Sequence, residues 1–173
     1  KKDDTDISVL LLQEQQVAYQ LSTPPLTVII GNPPSSDSKF QVANEGEVIN
    51  QLLEDFKPSS SNRTARQNIQ KQLTNEFVKF LRWSIDRAKK SIPSVFALIM
   101  PSSFAKHTSY KFARKYLSEN VSDLWVLEFD TDNRTGAEGS NVFKTLQGRL
   151  VLVGVLKSEQ NKNISINYKN ICN

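Results

Sequence analysis

Leu26-Thr27-Val28-Ile29-Ile30-Gly31-Asn32-Pro33-Pro34 is a short β-branched run that stops at a glycine, an asparagine and two prolines. Such a run reads as a buried strand ending in a loop that cannot extend a sheet. Each proline fixes φ at about −65° and lacks a backbone donor, so the loop is stiff and offers carbonyl oxygens. In an open α/β sheet, ligands bind in the crevice beyond the carboxyl ends of the strands. An acceptor-only loop in that place suits recognition of an amino group. Taken alone, Asn32-Pro33-Pro34 reads equally well as an ordinary strand-terminating turn.

Downstream, the pattern alternates between helix and strand. Leu73, Phe77, Phe80, Leu81, Ser84, Ile85 and Ala88 recur at three- and four-residue steps, with Lys79, Arg82, Asp86 and Lys89 off that stripe. Thr74 or Asn75 is placed to cap this helix and Pro93 closes it. Val95-Phe96-Ala97-Leu98-Ile99-Met100 reads as a second buried strand, ended by Pro101. Ser102 or Ser103 then opens a helix with Phe112, Ala113, Tyr116 and Leu117 on its inner face. Residues 121–129 alternate as a third strand, 149–156 form a long apolar strand, and 164–168 offer one more. Short helices are expected over residues 8–20 and 48–56. Strand and helix in alternation predict α/β layering with a mostly parallel sheet.

Composition sets outer bounds. The chain has 173 residues, enough for one domain with a real core, and 38% hydrophobic content. Lys and Arg total 22 against 18 Asp and Glu, a net charge of +4 that permits a polyanionic partner without naming one. Cys172 is the sole cysteine, which precludes an internal disulfide and fits a reducing, cytoplasmic setting. The apolar runs fall far short of the roughly 18 residues of a membrane span. The only methionine is Met100, so the sequence is expected to be a piece of something longer.

The segments Val28-Ile29-Ile30-Gly31-Asn32-Pro33-Pro34, Asn75-Glu76-Phe77-Val78-Lys79-Phe80-Leu81-Arg82-Trp83, Phe96-Ala97-Leu98-Ile99-Met100-Pro101-Ser102-Ser103-Phe104, Ala113-Arg114-Lys115-Tyr116-Leu117 and Asn141-Val142-Phe143 occur in that order. Together they resemble the second half of the catalytic domain of DNA adenine-N6 methyltransferases of restriction–modification systems. The similarity is greatest to the large single-polypeptide enzymes that combine methylation with cleavage. It covers residues 26–157, leaving 1–25 as an N-terminal helix or linker and 158–173 as a tail with a possible strand. It implies a partial Rossmann-like, S-adenosylmethionine-dependent methyltransferase fold without its N-terminal cofactor-binding half. DNA is the implied partner, with the remainder of the polypeptide or a restriction subunit as a second.

The resemblance gives residues roles. Asn32, Pro33 and Pro34 would form the catalytic loop, with the Asn32 side-chain oxygen and the Pro33 carbonyl accepting the two N6–H bonds of adenine. These acceptors orient the amine lone pair and stabilise developing charge. The base must leave the duplex to be reached, and its ring then needs a clamp. Phe143 matches the phenylalanine that packs on the flipped base, and its other reading is a plain core residue. Ser35 stands where the family has Tyr or Phe and cannot stack on a purine. This departure leaves three readings: weaker clamping, a substitute ring such as Phe40, or a degenerate, non-catalytic DNA-binding or assembly module.

Other candidates are weaker. His107 is the single histidine and reads as a solvated loop residue, so no metal site is expected. Arg63, Arg66, Lys71, Lys106, Lys111, Arg114 and Lys115 are candidates for phosphate contact, against the ordinary reading of solvated helix charge. Residues 1–25 contain no glycine and cannot supply the glycine-bearing loop that cradles S-adenosylmethionine in the family. By the resemblance the parent is expected to be a site-specific adenine methyltransferase, and without that loop the isolated chain is expected to be inactive.

Overall fold

A computed structural model of the chain describes residues 12, 14–17, 27–34, 47–58, 69, 73–129, 148–158 and 164–171. In order, the elements are β1 (Thr27–Gly31), α1 (Glu47–Leu53) running into a 3-10 turn (Glu54–Phe56), α2 (Glu76–Lys89) and β2 (Ser94–Pro101). They continue with α3 (Ser103–Lys106), a 3-10 turn (Thr108–Tyr110), α4 (Lys111–Asn120), β3 (Asp123–Phe129), β4 (Arg149–Leu156) and β5 (Ser165–Ile171). The helix expected over 8–20 falls mostly outside the described residues.

The five strands form one sheet in the order β1-β2-β4-β3-β5. The expectation of a mostly parallel sheet holds in part, because the sheet is mixed. β1 pairs with β2, and β3 with β5, in parallel, whereas β4 runs antiparallel to both β2 and β3. Four strands thus share one direction and β4 is inserted against it. Burial alternates along β4 in the same way as along β2. A period of two fixes which face is buried and says nothing of strand direction.

One face of the sheet is sealed. Phe96, Leu98 and Met100 of β2 and Leu150, Leu152 and Leu156 of β4 share a core with Phe77, Leu81 and Ile85 of α2 and Ala113 and Leu117 of α4. Each large side chain buried this way is worth about 1.5–3 kcal/mol relative to exposure. The alternate residues Val95, Ala97, Ile99, Val151, Val153 and Val155 form the other face and stay half-buried. On that face of β1, Val28 is 58% and Ile30 81% exposed. Among the described residues no strand pairs with the outer edge of β1.

The helical stripe differs from expectation at three positions. Lys79 and Arg82 were placed off the apolar stripe yet are buried, and Phe80 was placed on it yet is 44% exposed. The reason is that α2 is covered from more than one side. Arg82 reaches α1, donating from Nε to Leu52 O at 2.9 Å and from Nη2 to Asp55 Oδ2 at 2.7 Å. Its guanidinium also lies 4.7 Å from the centroid of the Tyr116 ring on α4, a cation–π contact. Lys79 turns back to Glu76 at 3.0 Å.

The single helix expected after Ser102 is instead two. His107 has extended backbone (φ −75°, ψ 135°), which ends α3, and its Nδ1 accepts from Ser109 N at 3.2 Å to start the next turn. Arg114 of α4 locks the two pieces together by donating to Phe104 O at 2.7 Å and His107 O at 2.9 Å.

Candidate functional site

Four strands, β1, β2, β3 and β5, end at one edge of the sheet, and β4 begins there. β1 leaves its pairing with β2 at Gly31, opposite Leu98, and continues directly as Asn32-Pro33-Pro34. Asn32 is exposed, Pro33 buried and Pro34 exposed. The sequence dictates this alternation: the prolines prevent further pairing, and burial of Pro33 anchors the loop while Asn32 faces outward. The three predicted loop residues therefore stand together at the carboxyl end of a parallel strand. Ser35, Phe143 and Phe40 lie outside the described residues.

The neighbouring strand end is similarly stiff. β2 terminates in buried Pro101, and Ser102 N donates to Gly148 O at 2.9 Å, closing the start of β4 onto the start of α3. A Cβ at residue 148 would lie 2.7 Å from Ser102 Oγ, so a side chain there would require the serine hydroxyl to turn away. Below it, Phe77, Phe104 and Tyr110 meet as a ring cluster, with centroids 5.5 to 6.4 Å apart. Asn75 caps α2 by position, yet its side chain makes no capping bond. Its Nδ2 donates instead to Tyr110 Oη at 3.1 Å, tying the start of α2 to that cluster.

The charged candidates separate clearly. Arg114 is spent on two backbone carbonyls, and burial lowers its pKa from the ordinary arginine value. Lys115 faces Glu119 on its own helix at 3.7 Å. Arg63, Arg66 and Lys71 lie outside the described residues. Lys106 reaches across to Glu128 on β3, with Nζ 2.5 Å from Oε1. His107 is exposed, as expected of a loop residue, though it also serves the local turn. Among the described residues no group of three His, Cys, Asp or Glu could hold a metal. No described helix is long and apolar enough to cross a membrane.

Glu128 escaped the sequence reading. Its side chain is 4% exposed, and Oε2 accepts from Tyr168 Oη of β5 at 2.6 Å while Oε1 meets Lys106. Burial alone would raise its pKa. Hydrogen bonds from Lys106 and Tyr168, with the charge of Lys106, outweigh burial and hold the carboxyl below its ordinary value. The available signal was one acid inside the apolar run Leu124-Trp125-Val126-Leu127-Glu128-Phe129.

No family model and no curated protein matches the chain. Solved structures do match in fold. The chain is similar to the ATP-dependent Type ISP restriction-modification enzyme LlaBIII bound to DNA, with 24% identity and a TM-score of 0.68 over 91% of this chain and 11% of that one. It is also similar to a nuclease-deletion mutant of the Type ISP enzyme LlaGI in complex with a DNA substrate mimic, with 18% identity and a TM-score of 0.66 over 91% of this chain and 13% of that one. A DrdV–DNA complex matches at 23% identity and a TM-score of 0.68, over 91% of this chain and 16% of the other. The chain thus spans between 11% and 16% of the length of these proteins, and shares its fold with a segment of each.

Proposed function

We infer that the chain is part of a DNA adenine-N6 methyltransferase of a restriction–modification system and supplies the loop that holds the target adenine. The observation that carries this reading is Asn32 exposed above a buried Pro33 at the carboxyl end of β1. The likeness in fold to two Type ISP restriction-modification enzymes, one bound to DNA and one to a DNA substrate mimic, and to a DrdV–DNA complex supports DNA as the partner. The ordered motif set and the strand-helix-strand layering support a Rossmann-like methyltransferase fold.

The chemistry required of these residues is orientation. The N6 lone pair of adenine is delocalised into the ring and is a poor nucleophile. The Asn32 Oδ1 and Pro33 carbonyl, accepting one N6–H each, favour a pyramidal nitrogen and aim its lone pair outward. Being fixed before the base arrives, they need no reorganisation during the reaction. S-adenosylmethionine, when bound, supplies an electrophilic methyl group on a sulfonium.

The described residues do not fit that cofactor. Their glycines are Gly31, Gly148 and Gly154, and each lies against a side chain that an added Cβ would crowd. By the resemblance, the cofactor cradle belongs to other parts of the enzyme and this chain serves the base.

Asn32→Ala in the polypeptide that carries this segment tests the reading. Methyl transfer to duplex DNA should fall on the order of a hundredfold, as for loss of one preorganised polar group. DNA affinity should change little, because phosphate contacts dominate it. Near-normal turnover would reduce Asn32 to a turn residue. Ser35 favours a second reading, a methyltransferase-like module that binds DNA without catalysis. That reading predicts no methyl transfer even by the intact polypeptide.

A further inference from the structure

We propose that Lys106 is a DNA-phosphate contact whose ammonium is aimed by Glu128 and Tyr168, making Glu128 a positioning residue for the nucleic acid. This rests on DNA being the partner and is independent of what Asn32 does.

Lys106 is unlike the paired lysines of the helices. Lys79, Lys90 and Lys115 each face an acid three or four residues away on the same helix. Such pairs between close neighbours on one helix contribute little. Lys106 is held by an acid from another element, at 2.5 Å, and that acid is buried with its second oxygen fixed by Tyr168 at 2.6 Å. Yet the Lys106 side chain is 69% exposed. A long, flexible side chain is thus pinned at its tip while open to solvent.

Its place in the fold suits a phosphate. Lys106 ends α3, which follows the carboxyl end of β2, and leans toward the carboxyl end of β3. β3 lies three positions along the sheet from β1. At about 4.8 Å per strand this places Glu128 roughly 15 Å from the strand that carries Asn32. DNA advances about 3.4 Å per nucleotide along its axis, so the interval corresponds to roughly four base steps. A backbone contact at that remove fixes the duplex in register while a base is held at Asn32. Such contacts position DNA and carry no sequence information.

The test uses the whole chain, a defined duplex oligonucleotide and a titration of monovalent salt. Lys106→Gln should weaken binding by about tenfold at low salt and reduce the slope of log affinity against log salt by about one. Lys115→Gln removes the same charge and should change the slope much less. Glu128→Gln decides between aiming and bulk charge. It makes the chain one unit more positive, so charge alone predicts tighter binding, whereas aiming predicts binding weakened by about threefold or more. Tyr168→Phe should move in the same direction as Glu128→Gln. Thermal unfolding of each variant verifies that binding is read on folded protein. Tighter binding by Glu128→Gln, or an unchanged slope for Lys106→Gln, overturns the proposal and leaves the Asn32 reading standing. Absence of salt-dependent binding by the unaltered chain overturns this proposal, while methyl transfer by the intact polypeptide still decides the Asn32 reading.

Discussion

The phenyl ring of Phe96 on β2 occupies the space that a side chain at Gly154, its register partner on β4, would fill. A Cβ built at residue 154 would lie 2.2 Å from Cζ of that ring. The reversed strand therefore sits where it does because it lacks a side chain at one point in the core.

Gly154→Ala should be costly despite the small size of alanine. Phe96 is fully buried and cannot swing away, so the strands must part or the ring must leave its rotamer. A loss of about 1–3 kcal/mol is expected, typical of overpacking. Chemical denaturation measures it, and the Phe96→Leu, Gly154→Ala double variant should recover part of the loss. Strict additivity would show that the two residues do not compete for space.

Asp55→Asn probes the link between α1 and α2. The Arg82 side chain is 5% exposed and would lose its carboxylate, while Asp55 itself is 46% exposed. Stripping a fully buried pair costs about 3–5 kcal/mol, and solvent access at Asp55 reduces this to about 1–2 kcal/mol. Replacing Arg82 by Met should cost less than the same change would at a well-satisfied arginine, because Arg82 Nη1 is buried without a hydrogen-bond partner among the described residues. Both changes are read as midpoints in urea.

Acid should loosen the join between α3, β3 and β5. The Glu128 carboxyl is held below its ordinary value of 4.5. A group with a depressed folded pKa contributes stability that is fully present above the unfolded value and is lost as pH falls through the folded one. The melting temperature of the unaltered chain should therefore drop more steeply below about pH 4.5 than that of Glu128→Gln. Parallel curves for the two proteins would mean that Glu128 gains nothing from Lys106 and Tyr168.

Ser35→Tyr addresses the departure from the family pattern. If residues 35 and 143 sandwich the flipped adenine, the added ring should tighten binding to DNA with a mismatched target adenine by about 1 kcal/mol or more. Phe143→Ala should cancel most of that gain. Additive effects in binding would mean that the two positions do not share a base. A core role for Phe143 would instead appear as about 3–5 kcal/mol of lost stability.

What the sequence disclosed followed from local rules. β1, β2 and β4 are dense β-branched or apolar runs closed by Gly, Pro or charge, so their extents were legible nearly to the residue. The Asn32-Pro33-Pro34 loop was legible because proline acts on its own backbone. The reversal of β4 was hidden, since antiparallel and parallel strands bury alternate residues alike. Burial of Arg82 was hidden because it depends on Asp55 and Tyr116, 27 and 34 positions away. Glu128 was hidden for the same reason: its partners lie 22 residues before it and 40 after.

β1 has a further consequence. Val28 and Ile30 stand in water beside a row of backbone groups with no strand across from them among the described residues. Stable proteins usually guard such a border with lysine, proline or a bulge, and β1 has none of these along its five residues. Handled alone at high concentration, the chain has an adhesive seam: copies can zip together in pairs along β1. A short β-strand mimic supplied in excess should compete for that seam and keep the chain dispersed.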